Sequence, residues 1–176
     1  MLSGEVQFDD SYIGAKGGKR GRGTSQAPFF AAVEMGRKGG CCLRTTESLA
    51  ACDYRLFAHD HICLNAHIRT DGSIALNAGL ATWSGLDSRN FDDGEEERAL
   101  RHVHNIISNF KSYVIGTYHG VQRRYLQSYM DEYSYRYCNR HNRLVFDTLL
   151  DDMCRSRHTR KQLVELFAPQ MVEMAA

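Results

Sequence analysis

The sequence predicts a mixed α/β (α+β) domain: a central mixed sheet flanked by helices, with a helical C-terminal part. Three observations carry this: early strand-like segments, a helix and a further strand behind them, and helical periodicity from Glu95 onward. Glu5-Val-Gln-Phe-Asp9 alternates apolar and polar side chains, the period of a half-buried strand, and Ser11 to Gly14 either continues it or turns. Lys16 to Gly23 holds four glycines and four cations in eight residues, too glycine-rich for a helix, and reads as a flexible basic loop. Pro28–Glu34 and Cys41–Thr46 are two more strands about a Gly-Arg-Lys-Gly-Gly turn, so the first three strands predict an antiparallel meander.

Residues 47–60 space Leu49, Cys52, Leu56 and Phe57 as a helix does, and Ile62–Arg69 reads as a strand closed by the turn chemistry of Thr70-Asp-Gly-Ser. Residues 74–93 hold a short helix and a weak strand around Ala81-Thr-Trp83, followed by helices over 95–115, 121–139, 143–154 and 158–174. No internal repeat or linker interrupts this order. The expected organisation is a main domain over 1–143 and a helical extension over 144–176 packed on it.

A chain of 176 residues is long enough for one substantial core. No apolar run approaches the roughly 20 residues that cross a bilayer, and the N-terminus lacks the basic-then-apolar order of a signal peptide, so a cytoplasmic protein without a membrane partner is expected. The six cysteines contain no Cys-x-x-Cys pair, which argues for free thiols in a reducing compartment and against zinc. The net charge of +1 conceals an asymmetry. Residues 86–97 carry six carboxylates against Arg89 alone, whereas residues 98–161 carry twelve Lys and Arg against five Asp and Glu, with five histidines besides. A basic half of this kind suits a polyanionic partner, although the same charges also serve to solvate helix faces.

Asp9 and Asp71 each end a predicted strand. If the strands are neighbours, both carboxylates reach one edge of the sheet, where hard oxygen ligands can hold divalent ions for phosphoryl transfer. An Asp-Gly after a strand is also an ordinary turn. The helix at residue 104 offers a third wall. Val103, Ile107, Phe110 and Val114 make its core-facing stripe, and His104, Ser108 and Lys111 run along the adjacent one. A histidine there is by default packed or at the surface.

Several segments appear in a fixed order: Phe8-Asp-Asp-Ser-Tyr-Ile-Gly14, Gly21-Arg-Gly-Thr24, Thr70-Asp-Gly72, His104 to Lys111, Gly116-Thr-Tyr-His-Gly-Val121, Tyr129 to Arg136 and Asn139-Arg140. Together they resemble the catalytic domain of bacterial insertion-sequence transposases of the ISXO type, relatives of the Merlin elements, over about residues 4–143. The resemblance implies an RNase H-like fold and metal-dependent cutting and joining of DNA ends, with two Mg²⁺ (or Mn²⁺) ions expected. It places Asp9 and Asp71 at the two catalytic aspartates, and His104 where such proteins carry a glutamate or asparagine, seven residues before the lysine matched by Lys111. An imidazole there departs from the Asp-Asp-Glu pattern; as a softer donor it lowers the expected affinity for a hard metal ion, or it orients the attacking water instead.

The resemblance gives the cations tasks. Lys16, Lys19, Arg20 and Arg22 of the basic loop, Lys111 beside the site, His119, and Arg123 and Arg124 become candidate contacts to the DNA backbone, which position rather than specify. The partner is double-stranded DNA, both element ends and target, with a homodimer as the expected assembly. Tyr125, Tyr129, Tyr133 and Tyr137 recur every four residues, a packing pattern first and a base-stacking one second. Relatives usually carry a zinc-ribbon and helix-turn-helix region ahead of the catalytic strand. This chain starts at that strand, as an isolated core, a shortened gene product or a degenerate copy would. The leading reading is a transposase core. The alternative is a truncated or degenerate transposase-derived DNA-binding protein without activity, and a nuclease that cuts without joining stands third.

Overall fold

The computed structural model describes residues 1–14, 26–37, 39–89, 99–119 and 121–155. Five strands form one sheet: β1 (Glu5–Ile13), β2 (Ala27–Glu34), β3 (Cys41–Thr45), β4 (His67–Asp71) and β5 (Gly85–Arg89). Their spatial order is β3-β2-β1-β4-β5. The first three pair antiparallel as the expected meander, whereas β4 joins β1 in parallel and β5 joins β4 in parallel. A mixed five-stranded sheet of this order, flanked by helices, is the RNase H-like fold.

Each face of the sheet is covered by helices because β2 is apolar on both sides. Phe30 and Ala32 face α1 (Ala51–His61) and α2 (Ile74–Gly79). Phe29, Ala31 and Val33 face α3 (Arg101–Tyr118) and α4 (Leu126–Cys138). On the first face Phe8 stacks on Phe57 with ring centroids 5.0 Å apart and meets Phe30 edge-on at 5.8 Å. On the second, Val103, Ile106, Ile107, Phe110 and Val114 are buried, the stripe expected of this helix with Ile106 added. Gly79 lets α2 lie against α1, since a Cβ there would stand 2.7 Å from the Ala51 carbonyl oxygen.

Several boundaries differ from expectation, for physical reasons. β1 continues past Asp9 to Ile13 because β2 pairs with it along that whole length. The strand expected over 62–69 is His67–Asp71, since a turn closed by the Ala66 N–H on the Cys63 carbonyl separates it from Ile62. Ile62 instead caps α1 and forms a single bridge with Leu2. The weak strand lies at Gly85–Arg89 rather than around Trp83, whose indole donates to the Cys63 carbonyl. In α1 the buried face is Tyr54, Phe57 and Ala58, whereas Leu56 is exposed and so is Cys52. The helix expected over 158–174 lies outside the described residues.

The chain divides into two compact units, Met1–Arg140 and His141–Ala176. In the second, α5 (Val145–Arg155) is preceded by Asn142, whose side-chain amide oxygen accepts from the Leu144 N–H at 2.9 Å, and an Arg155–Asp151 ion pair of 2.8 Å spans one turn.

One buried polar residue connects β1 to α3. Gln7, 2% exposed, accepts from the backbone N–H groups of His102 (2.9 Å) and Val103 (3.0 Å) and donates to the Ala99 carbonyl (2.8 Å). The first amides of a helix have no partner within it, so this side-chain carbonyl takes the place of a cap. Replacing Gln7 by leucine keeps the volume and strands these groups. Urea denaturation is expected to show a loss of about 2–3 kcal/mol; a change below about 0.5 kcal/mol would mean that water or a shifted helix satisfies them.

Candidate active site

Side chains alternate across a strand, so Gln7, Asp9 and Ser11 leave β1 on the face covered by α3, and Phe8 and Asp10 on the other. Each of the three polar groups meets a partner from that helix. Gln7 holds its first turn. Asp9 Oδ2 lies 3.2 Å from His104 Nε2, and the Lys111 ammonium donates to Ser11 Oγ at 2.7 Å. Polar contacts therefore run along one side of an otherwise apolar interface. Asp10 points the opposite way and accepts from the buried Tyr54 hydroxyl at 2.6 Å.

Asp71 reaches the same place from β4. Parallel pairing of β1 and β4 runs to Gln7 opposite Arg69, and the same register two residues further on sets Asp9 level with Asp71. Asp71 ends β4, where its carboxylate accepts from the Ser73 N–H (3.2 Å) and its carbonyl from the Ser88 hydroxyl (2.9 Å). Burial pushes the Asp71 carboxyl above its ordinary value and the Asp9 charge adds to this, while the Ser73 N–H and His104 oppose it. Asp9 thus stands level with Asp71 on the neighbouring strand, and His104 reaches Asp9 from α3. Asp9, however, lies in mid-strand rather than at a strand end, because β1 goes on pairing with β2 beyond it.

Asp9 and Asp71 are hard oxygen donors of the kind a divalent ion takes, whereas the His104 imidazole is a softer one. Adjacent ligands on an octahedral ion with bonds of roughly 2.1 Å stand about 3 Å apart, and the Asp9–His104 separation of 3.2 Å matches that spacing. Asp9 and His104 remain partly open, with side chains 16% and 31% exposed. Among the described residues no three His, Cys, Asp or Glu groups approach closely enough to hold an ion jointly, so Asp71 stands near this pair without completing it.

These positions fall within a stretch that matches a known family. The ISXO2-like transposase domain aligns with residues 1–138. The chain belongs to that family. No curated protein matches it. Family membership makes this a transposase domain of the insertion-sequence, DDE type, a group that generally uses divalent metals and acts on DNA.

The remaining candidate residues of the transposase domain are dispersed. Lys16, Lys19, Arg20 and Arg22 lie outside the described residues. His119 caps α3 in the left-handed conformation, φ 56°, with its N–H on the Ile115 and Val114 carbonyls; its backbone closes the helix before the next segment. Arg123 pairs with Glu47 at 2.9 Å and Arg124 lies 4.7 Å over the Tyr125 ring, both in the 3-10 turn before α4. Tyr129, Tyr133 and Tyr137 pack against the core beneath α3, Tyr133 within 5.4 Å of Phe110, as the packing reading expects.

Gln7 and Ser11, which the sequence reading does not single out, support the site, and a signal for them exists: Gln7, Asp9 and Ser11 form a polar alternation in a strand whose other face begins with the apolar Val6 and Phe8. Arg89 was likewise read as mere charge. It is opposite Asp71 in the β4–β5 register, and its guanidinium is held by Asp87 at 2.7 Å. A cleft of about 170 Å³ lined by Glu5, Gln7, His67, Arg69 and Asp87 opens on the sheet but includes neither catalytic candidate aspartate.

Because folding raises the Asp71 pKa, the native state retains a proton that the unfolded chain has lost. Stability therefore falls as pH rises from near 3.8 through the raised native value. Asp71→Asn removes the buried charge and keeps an acceptor for Ser73. It is expected to be more stable than the parent at pH 7. The difference should vanish near pH 3. Urea titrations at both pH values check this, and a less stable variant at pH 7 would refute it.

Proposed function

We propose that this domain cuts DNA at the ends of a mobile element and joins the freed 3′-hydroxyl to target DNA, using Asp9 and Asp71 to hold divalent metal, Mg²⁺ or Mn²⁺. The observation that supports it is the 3.2 Å contact of Asp9 with His104, beside an Asp71 that the parallel register sets level with Asp9 on the adjacent strand. Bound divalent ions would supply Lewis-acid stabilisation of charge on the attacking and leaving oxygens. The protein's own residues do the rest. Asp9 and Asp71 concentrate negative charge at one point of the sheet, which favours cations there and disfavours phosphate until a cation is present. His104, within hydrogen-bonding reach of Asp9, is placed to accept or return a proton at Nε2 during attack by water or by a 3′-hydroxyl. Lys111, fixed by Ser11 on the same face, provides a positive charge for the phosphate beside the scissile bond.

The DNA contacts assigned to Lys16, Lys19, Arg20, Arg22, His119, Arg123 and Arg124 belong to the same proposal, as do a homodimer that holds two ends together and a nucleoid-associated place in the cytoplasm. No helix among the described residues is long and apolar enough to cross a membrane. One observation favours a second reading, a DNA-binding protein without catalysis: His104 engages Asp9 directly, at 3.2 Å.

Incubating the full chain with element-end DNA and Mn²⁺ or Mg²⁺ separates the readings. Nicking followed by joining, reduced at least ~10³-fold in Asp9→Asn and in Asp71→Asn, is the expected outcome for electrostatic groups at the reacting centre. Binding without cleavage in either metal supports the second reading, and cutting without joining indicates a nuclease.

His104 has a separate outcome. His104→Glu restores a hard oxygen ligand and is expected to strengthen Mg²⁺ binding, measured by calorimetry, and to narrow the preference for Mn²⁺. Unchanged metal affinity would remove His104 from the site.

A further inference from the structure

Away from the carboxylates, two cysteines meet where β3 begins and α4 ends. The Cys138 sulfur accepts from the Cys41 backbone N–H at 3.4 Å and lies 3.5 Å from the Cys41 carbonyl oxygen. Three further features hold it there. A Cβ on Gly40 would come within 3.2 Å of that sulfur, so glycine leaves the room it occupies. Arg140 donates to the carbonyls of Gly39 (2.8 Å) and Arg37 (3.0 Å), binding the β2–β3 turn to the end of α4. The same guanidinium lies 3.9 Å over the Tyr137 ring.

The two thiols differ in the way a reactive pair requires. Cys138 is exposed and Cys41 is buried. The Cys41 thiol, the Cys41 N–H and the Arg140 charge together pull the Cys138 thiol below its ordinary value, against its partial burial. Cys41 is pushed far up, by its hydrogen bond to Cys138 and by burial. The negative end of the α4 dipole opposes a thiolate at Cys138, but it is a diffuse effect set against direct hydrogen bonds. Thiolates, not thiols, are the nucleophiles.

We propose that Cys41 and Cys138 form a peroxide-responsive thiol pair that closes to a disulfide between β3 and α4. The Cys138 thiolate attacks one peroxide oxygen, the O–O bond breaks, and the departing hydroxide takes a proton to become water. Cys138 is then a sulfenic acid. The Cys41 sulfur loses its proton and attacks the Cys138 sulfur, the S–O bond breaks, and a second water leaves. Two thiols have given two electrons to one peroxide. Cys41 is the resolving partner because it already touches the sulfur that would be oxidised. The pair is independent of the DNA chemistry proposed above.

The test treats the reduced full chain with hydrogen peroxide, blocks remaining thiols with iodoacetamide, and maps peptides by mass spectrometry. The expected result is an intramolecular Cys41–Cys138 linked peptide, formed while the exposed Cys52 and Cys154 remain alkylatable, together with a higher melting midpoint that dithiothreitol reverses. In Cys41→Ser, with its fold checked by circular dichroism, a sulfenic acid should accumulate on Cys138 and be trapped by dimedone. If that variant does not fold, the wild-type peptide map decides alone. Overturning results are a Cys138 that is oxidised no faster than Cys52, or peroxide-treated protein in which Cys41 and Cys138 remain separately alkylated.

Discussion

The amide of Gln7 stands between the central strand and the first turn of α3, answering two backbone N–H groups and one carbonyl that would otherwise be buried without partners. Such groups are expensive to leave unmet, so this contact fixes both where α3 starts and how it is rotated about its axis. His104 follows the second of those amides directly. Its reach to Asp9, and seven residues on the reach of Lys111 to Ser11, depend on the phase that Gln7 sets. Apolar packing by Val103, Phe110 and Val114 holds the helix on the sheet, but packing of smooth side chains tolerates sliding more readily than three directional hydrogen bonds do.

The second constraint is electrostatic. Placing Asp9 and Asp71 side by side on parallel strands sets like charges together in a partly dry place, and the raised Asp71 carboxyl records the penalty. His104 and the Ser73 amide relieve part of it. The arrangement is therefore less stable than a neutral one of the same shape, a common property of sites built for charge. A divalent cation is the group that would relieve the remainder.

Much of this was legible in the sequence. The meander and the stripe on α3 follow from periodicity and from segment order, whereas the pairing of the strands that carry Asp9 and Asp71 enters the sequence reading only as a condition. Element limits were not. Whether Asp9 ends its strand depends on how far β2 accompanies it, and that pairing joins residues separated by the basic loop. The buried face of α1 was misread because Leu56 and Tyr54 are both apolar enough to face inward, and only the aromatic cluster around Phe8 selects Tyr54. Gln7 escaped notice for a related reason: a lone glutamine in a strand looks like a solvent-facing residue until the helix that needs it is in place.

The doublet Asp9-Asp10 has a consequence for how the strand finds its place. A slip of β1 by one residue would exchange the two carboxylates, leaving one on each face as before, so the aspartates themselves cannot tell the right alignment from the wrong one. Their neighbours can. The slip would drive Phe8 into the polar seam beneath α3 and thrust Gln7 into the aromatic cluster of Phe30, Tyr54 and Phe57. The fidelity of the carboxylate that faces His104 is thus enforced by two residues that take no part in any chemistry, acting as a key that reads orientation where the charged pair is symmetric.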